Sequence, residues 1–386
     1  MFVFQGCDVF GPEPLGRKDV LTAGGRFVAV ADRIDAPALP GCTVIDAAGL
    51  KMVPGLIDGH VHIAGAGGEG GPATRTPELR LSQLLDGGVT TVIGCLGTDG
   101  IARTVDGVLM KAKALKAEGV SCWIYTGAYQ LPVPTITGDP GRDIALVEEV
   151  IGVGEVAISD HRSSGPTVDE LIHLVGRARV GGMLGGKAGI VCFHMGDAKD
   201  PFRILYQVAE RSELKLTQFV PTHVNRNDYI FEDAKTYGKT GYVDLTASSY
   251  PYYPQYEVKP SKAVVQLVEA GVPLEHITLS SDAIGSLPDF DAQGNLIKLD
   301  VGEPKSIFTE LVDLATTEGF PLEKALSIVT SNVARILRLP RKGRIAPGFD
   351  ADAVFLDADW RIRHLVARGE LMIRDAERLR KGTFER

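Results

Sequence analysis

Cysteine is scarce. Cys7, Cys42, Cys95, Cys122 and Cys192 are the only five in 386 residues, an odd number with no CxxC pair. Several fall in apolar runs where free thiols pack, so they read as reduced core residues and not as ligands. Excess positive charge is also missing: 41 basic residues face 49 acidic ones, for a net charge of -8. No field of that kind draws in nucleic acid or an anionic membrane, and neither is expected as a partner. No stretch of about 18 apolar residues escapes charge or Gly/Pro interruption. The opening Met1-Phe-Val-Phe-Gln-Gly6 lacks a basic region ahead of an apolar one, so a cytoplasmic location is expected. What is present is 44% hydrophobic content, enough for one large core and a small appendage.

The texture changes along the chain. From Met1 to about Ala48, short alternating runs are broken by turns: Val20 to Thr22, then Ala23-Gly24-Gly25-Arg26, then Phe27 to Val30. The same texture returns after Gly348, with Ala353 to Leu356, Ile362 to Val366 and Glu370 to Ile373. Both ends read as hairpins of one small β-domain, a sandwich built from residues 1–50 and 340–386. Between them, over 51–339, apolar strands alternate with amphipathic helices, which predicts parallel βαβ units. Candidate strands at 53–62, 89–96, 120–127, 153–160, 189–194, 217–223, 241–247 and 276–282 give the eight of a (β/α)8 TIM-like barrel. Thr76-Pro77 marks a helix start, with Leu79, Leu81, Leu84 and Leu85 behind it and Gly87-Gly88 as the stop. The fold class is therefore α/β. A doubly wound open sheet is the alternative, but it needs a nucleotide loop after its first strand.

Two glycine motifs mimic such a loop. Gly65-Ala-Gly67-Gly-Glu69-Gly70 satisfies G-x-G-x-x-G, yet it carries an acid and runs into Gly71-Pro72 where a helix must open. Gly181 to Lys187 matches G-x-x-x-x-G-K, but Ala188 stands where a magnesium-binding hydroxyl is required. Neither reads as a phosphate site.

The strongest chemical signal is Asp58-Gly-His60-Val-His62 at the end of the first barrel strand. Residues i and i+2 of a strand point the same way, so both imidazoles converge on one ion. Alone, the pair is as easily structural. It is joined by His194, His223 and Asp282, each closing an apolar run at the strand end where barrel enzymes do chemistry. Four such histidines with an aspartate point to metal binding. His161 follows the fourth strand near the mouth, whereas His173, His276 and His364 read as structural or surface residues.

This set of His60, His62, His194, His223 and Asp282 on strands one, five, six and eight resembles the amidohydrolase superfamily. Longer matches are more specific: Gly67 to Glu78, Thr126-Gly-Ala-Tyr129, Ile158-Ser-Asp-His-Arg162-Ser, Pro221-Thr-His223-Val-Asn-Arg226-Asn and Leu279-Ser-Ser-Asp282. They look like the isoaspartyl (β-aspartyl) dipeptidases from about residue 45 to the end, weakest over the first 40 residues. One position departs. The family's carboxylated lysine on strand four, which bridges two zinc ions, corresponds to Glu155, on a strand one residue longer. A glutamate offers the same two oxygens on a shorter stem, and a bulge beside Gly154 brings the backbone closer. The competing reading is an ordinary strand-end charge with a single metal.

The resemblance implies two divalent ions, zinc in the family, held by His60, His62, Glu155, His194, His223 and Asp282 and sharing a hydroxide nucleophile. It implies Asp282 as proton carrier, or as a ligand only, and Tyr129 as oxyanion donor, or as a packing tyrosine. Substrate contacts follow from it residue by residue: Glu69 for an α-ammonium, Arg162 and Arg226 with Ser286 for carboxylates, Gly67 and Thr98 for further contacts. The implied activity is hydrolysis of the isopeptide bond in β-aspartyl dipeptides. The alternatives are another amidohydrolase acting on N-acyl amino acids or cyclic imides and ureides, and a non-catalytic scaffold on the same barrel. A symmetric homo-oligomer, an octamer among the options, is implied by the resemblance alone.

Overall fold

The computed structural model describes residues 1–35, 41–291, 293 and 296–385. Its centre is a ring of apolar, β-branched runs, parallel and in chain order. They are β1 (Leu56–Val61), β2 (Val89–Gly94), β3 (Ser121–Thr126), β4 (Val150–Ile158), β5 (Ile190–Met195), β6 (Phe219–Thr222), β7 (Val243–Thr246) and β8 (Ile277–Ser280). The first six form one sheet, and β7 pairs with β8. Past β6, Val224 N donates to Asp244 O, and past β8, Asp282 N donates to His60 O and His62 N to Ala283 O. These bonds carry the curl across both gaps, giving a TIM-barrel-like ring. Helices such as Val105–Glu118 and Val168–Gly185 follow the strands. Their caps are legible: Thr104 Oγ1 accepts from Gly107 N, and Thr167 with Glu170 forms a reciprocal capping box.

Strands from the two chain ends share a single nine-stranded sheet. The seam is Lys51–Pro54, antiparallel to Ala353–Leu356. Phe4, Val20, Phe27, Met52, Phe355 and Val366, drawn from both ends, pack there into a core of their own. Buried Lys342 fastens this sheet to the barrel: its Nζ lies 2.7 Å from Ser121 Oγ at the start of β3, 2.6 Å from Asp352 Oδ2 and 3.0 Å from Asp350 Oδ2.

Two expectations need correction. The run 53–62 is not one strand, because Lys51–Pro54 pairs with the end sheet while Leu56–Val61 joins the barrel. The helix expected from Pro77 starts at Leu81, with Arg80 as its cap. Thr76 serves a loop instead: its hydroxyl accepts from Ala66 N and donates to Ile284 O. A hairpin that alternation did not reveal, Ser286–Phe290 with Leu296–Val301, follows β8. Among the described residues, no helix is long and apolar enough to cross a membrane.

Candidate active site

The C-terminal strand ends bring the six ligand candidates together. His60 and His62 sit two residues apart at the end of β1, with ring centroids 5.4 Å apart. Asp58 ties this strand to β8, accepting from Ser281 N at 3.0 Å and from Ser281 Oγ. On β4 the register skips: Val153 stands opposite Val191 and Val156 opposite Phe193, so Gly154 and Glu155 together face Cys192. That is a bulge, and only glycine fits its first position, since a Cβ on Gly154 would lie 2.8 Å from Cys192 Cβ. The extra residue directs Glu155 into the ring of histidines.

The two oxygens of Glu155 face two separate groups. Oε1 lies 2.8 Å from His194 Nδ1 and 2.9 Å from His223 Nε2. Oε2 lies 3.3 Å from His60 Nε2 and 3.9 Å from His62 Nε2. Asp282 Oδ1 completes the second group, 3.0 Å from His62 Nε2 and 3.6 Å from His60 Nε2. His60 Nε2, Glu155 Oε2 and Asp282 Oδ1 are buried without a hydrogen-bond partner among the described residues. Orphaned polar atoms of this kind, all of ligand type and converging, fit a divalent cation.

The outward nitrogens of the histidines are held as well. Thr246 Oγ1 lies 2.7 Å from His223 Nδ1, and Asp160 Oδ2 lies 3.1 Å from His194 Nε2. Such partners fix the tautomer and ring orientation of a ligating imidazole. Behind His62 and His60 stand Cys95 and Cys192, with Sγ at 3.8 and 3.7 Å from the respective Nδ1 atoms. Cys95 joins His60, His62 and Glu155 in a cluster of metal-ligand type. Cys95 is packed in a hydrophobic core, as expected of these thiols, and the end of β2 also carries it against His62. The backbone is strained here: His223 and Asp282 have φ of 63° and 55°, a conformation costing about 1–3 kcal/mol each that surrounding bonds must hold.

Electrostatics follow from burial and neighbours. Burial opposes ionisation of Glu155, but His60 and His194 outweigh it and hold the carboxyl well below its usual range. Asp282 is likewise lowered against burial by its contact with His62. Burial pulls His223 down to about 4, leaving it neutral and ready to donate a lone pair. Burial and then the charge of Glu155 push the Tyr129 phenol well above its ordinary value, so it keeps its proton. Its Oη lies 2.7 Å from His194 Nδ1.

Above this floor opens a cavity of about 970 Å³. The remaining candidates line it. Glu69 Oε2 accepts from Ser286 Oγ at 3.1 Å, and Arg162 Nη1 lies 3.4 Å from Glu69 Oε1 and 3.3 Å from Thr98 Oγ1. Arg162 is also gripped by Asp160, at 2.8 and 3.0 Å. Arg226 Nη1 lies 3.3 Å from His194 Nε2 and donates to Met195 O at 3.0 Å. Gly67, with φ of 72°, passes so close to the loop that a Cβ would meet Thr74 O at 2.5 Å. His161 lines the cavity, while His173 is exposed on a helix, His276 bonds Gly238 O and His364 is buried in the end sheet.

Known proteins match this architecture. Residues 222–376 fit the model of the amidohydrolase family. A crystal structure of beta-aspartyl dipeptidase from Fervidobacterium islandicum AW-1, in complex with beta-Asp-Leu dipeptide, is 42% identical over all of both chains, with a TM-score of 0.92. The chain belongs to the amidohydrolase family, alongside beta-aspartyl dipeptidase. Shorter similarities reach a dihydroorotase from Desulforapulum autotrophicum, 30% identical over 158 residues, and an N-acyl-D-aspartate deacylase from Alcaligenes xylosoxydans xylosoxydans, 36% identical over 96. These matches span 41% and 24% of this chain but only 35% and 17% of the two relatives.

This amidohydrolase is a hydrolytic enzyme whose strand ends carry a cluster that could hold a metal ion. Sequence reading did not single out Asp160, Thr246 or Cys95 for the site, nor Glu257, which lines the cavity. The first lies inside the quoted Ser-Asp-His-Arg162 motif, where a carboxylate two residues before a substrate-type arginine was the available signal. The others meet the site only through the curl of the barrel.

Proposed function

We propose that the enzyme hydrolyses the isopeptide bond of β-aspartyl dipeptides, releasing aspartate and a second amino acid. The observation that carries this reading is the charge inventory of one cavity. A β-aspartyl dipeptide presents one ammonium and two carboxylates, and linked residues on one wall offer a carboxylate, Glu69, beside the guanidinium of Arg162, with that of Arg226 lining the same cavity. Ser286 bonds Glu69, Thr98 bonds Arg162, and Gly67 lines the same cavity. The match to a dipeptidase solved with beta-Asp-Leu supports the assignment.

His60, His62, Asp282 and Glu155 Oε2 would hold one divalent ion, and His194, His223 and Glu155 Oε1 the second, with zinc suited to the donors. Glu155 thereby takes the place of a bridging carboxylated lysine. When bound, such ions lower the pKa of a water and polarise the scissile carbonyl. Asp282, ionised at the cavity floor, accepts the water's proton and delivers it to the leaving amine. Tyr129, still protonated, donates its hydroxyl to the carbonyl oxygen as that atom gains charge. Arg162 and Arg226 fix the substrate carboxylates so that the scissile bond stands over the floor.

The local similarity to the N-acyl-D-aspartate deacylase favours a second reading, deacylation of N-acyl aspartate. An acylated amine carries no charge, which leaves Glu69 with no ammonium to hold. The test is aspartate release from β-Asp-Leu, α-Asp-Leu and N-acetyl-aspartate, with metal per chain measured on the same preparation. Selective cleavage of β-Asp-Leu at about two ions per chain is expected. Cleavage of N-acetyl-aspartate with β-Asp-Leu untouched would transfer the site to the second reading.

A further inference from the structure

Two clusters line the cavity. Glu69, Thr98, Arg162 and Ser286 are linked to one another in the first. In the second, the segment after β7 contributes Ser249, Tyr253, Tyr256 and Glu257, with Tyr253 bonded to Pro288 of the hairpin after β8. This tyrosine-rich stretch, Tyr250-Pro-Tyr-Tyr-Pro-Gln-Tyr256-Glu257, plays no part in the chemistry described above. We propose that it forms a subsite for a cationic side chain, of the lysine or arginine type, on the leaving amino acid. The inference rests on the β-aspartyl reading of the site.

Glu257 is the anchor. Its Oε2 accepts from Ser249 Oγ at 2.8 Å, and among the described residues no lysine or arginine stands within ion-pair distance of it. Burial lifts its carboxyl to about 7, with Arg226 and Ser249 pulling down and Asp282 and Asp197 pushing up. A largely buried acid with only a hydroxyl partner gains most from an incoming cation. The walls suit the stem of such a group. Tyr253 Oη donates to Pro288 O at 2.9 Å, which fixes its ring across the gap between the two segments. Tyr256 and Tyr229 stand at the rim, each substantially exposed. Aromatic faces attract ammonium and guanidinium, and the apolar surface of Leu287 and Pro288 accommodates methylenes. With the two arginines engaged by the substrate's carboxylates, the charge left for the leaving side chain on this wall is that of Glu257.

The test compares kcat/KM for β-Asp-Lys and β-Asp-norleucine, whose side chains share a four-carbon stem and differ in the ammonium. The lysine dipeptide is expected to be favoured by about tenfold, as for one charge-assisted contact in a partly open pocket. In Glu257→Gln that ratio should fall to about one, a readout that a general loss of folding would leave unmoved. Equal wild-type rates overturn the subsite while leaving the dipeptidase reading intact. Cleavage of neither dipeptide overturns the reading and the subsite together. A preference that survives Glu257→Gln overturns the role of Glu257. The wild-type comparison decides the main point without any variant.

Discussion

Shortening Glu155 by one methylene probes the bridge directly. In the native chain its oxygens lie 2.8 and 2.9 Å from His194 and His223 on one side and 3.3 Å from His60 on the other. Glu155→Asp withdraws the carboxylate by about 1.5 Å, one C–C bond. The bulge already brings the β4 backbone forward, and Gly154 is pressed against Cys192, so the main chain has little room to follow. Contacts of 2.8 Å then stretch to about 4 Å on at least one side, and a carboxylate at that range ligates only one of two ions. Glu155→Asp should therefore retain about one ion per chain and lose about 10³-fold or more in kcat/KM, the several kcal/mol that a second ion supplies. Glu155→Gln should do the same with geometry preserved, since an amide nitrogen does not ligate. Elemental analysis paired with β-Asp-Leu kinetics reads both quantities. Glu155→Asp protein with two ions and native kcat/KM would refute the bridging argument.

Tyr129→Phe removes the hydroxyl beside His194 while keeping the ring, so kcat should fall by about 10²–10³ with KM little changed; a purely packing tyrosine would leave kcat within a few-fold. Lys342→Met leaves Asp350 and Asp352 facing each other at the junction of barrel and end sheet, and should cost about 3–5 kcal/mol in urea denaturation. A loss under about 1 kcal/mol would mean the junction is held elsewhere. The preference for β-Asp-Lys over β-Asp-norleucine should weaken as pH falls through about 7, because burial keeps Glu257 protonated up to that value and only its ionised form attracts the ammonium. Arg226, Asp197 and Asp282 are the charged groups that act on it, and the substrate's lysine ammonium keeps its proton in this window. A flat ratio from pH 5.5 to 8.5 would refute this.

The barrel was legible because its strands are apolar runs ending in chemistry-bearing residues, as Ile190 to His194 shows. Glu155 was legible for a different reason: counting back from the Asp160-His161-Arg162 motif exposed one extra residue beside a glycine, and the register of β4 against β5 shows that residue as a bulge. Boundaries were less so. Val53 and Leu56 look like one strand in sequence, yet the first bonds to a strand near residue 354 and the second to β2. Thr76-Pro77 has the chemistry of a helix start, but Thr76 is engaged by Ala66 and Ile284, contacts across the fold that outrank local propensity. Thr246, Cys95 and Glu257 carried no local signal, since each matters only for the side chain that curvature sets opposite it.

The seam between Lys51–Pro54 and Ala353–Leu356 imposes an order on synthesis. The first strand of that pair leaves the ribosome with its partner still roughly 300 residues away, among the longest-range pairings a chain of this size can hold. Until then Lys51–Pro54 is an open sheet edge, with Met52 and Phe4 short of the Phe355 and Val366 that cover them in the finished core. Every strand of the barrel can close before that edge is satisfied. A nascent chain can thus have every barrel strand in place while one β-edge remains adhesive, and that edge is where a stalled or truncated chain would cross-pair with a neighbour.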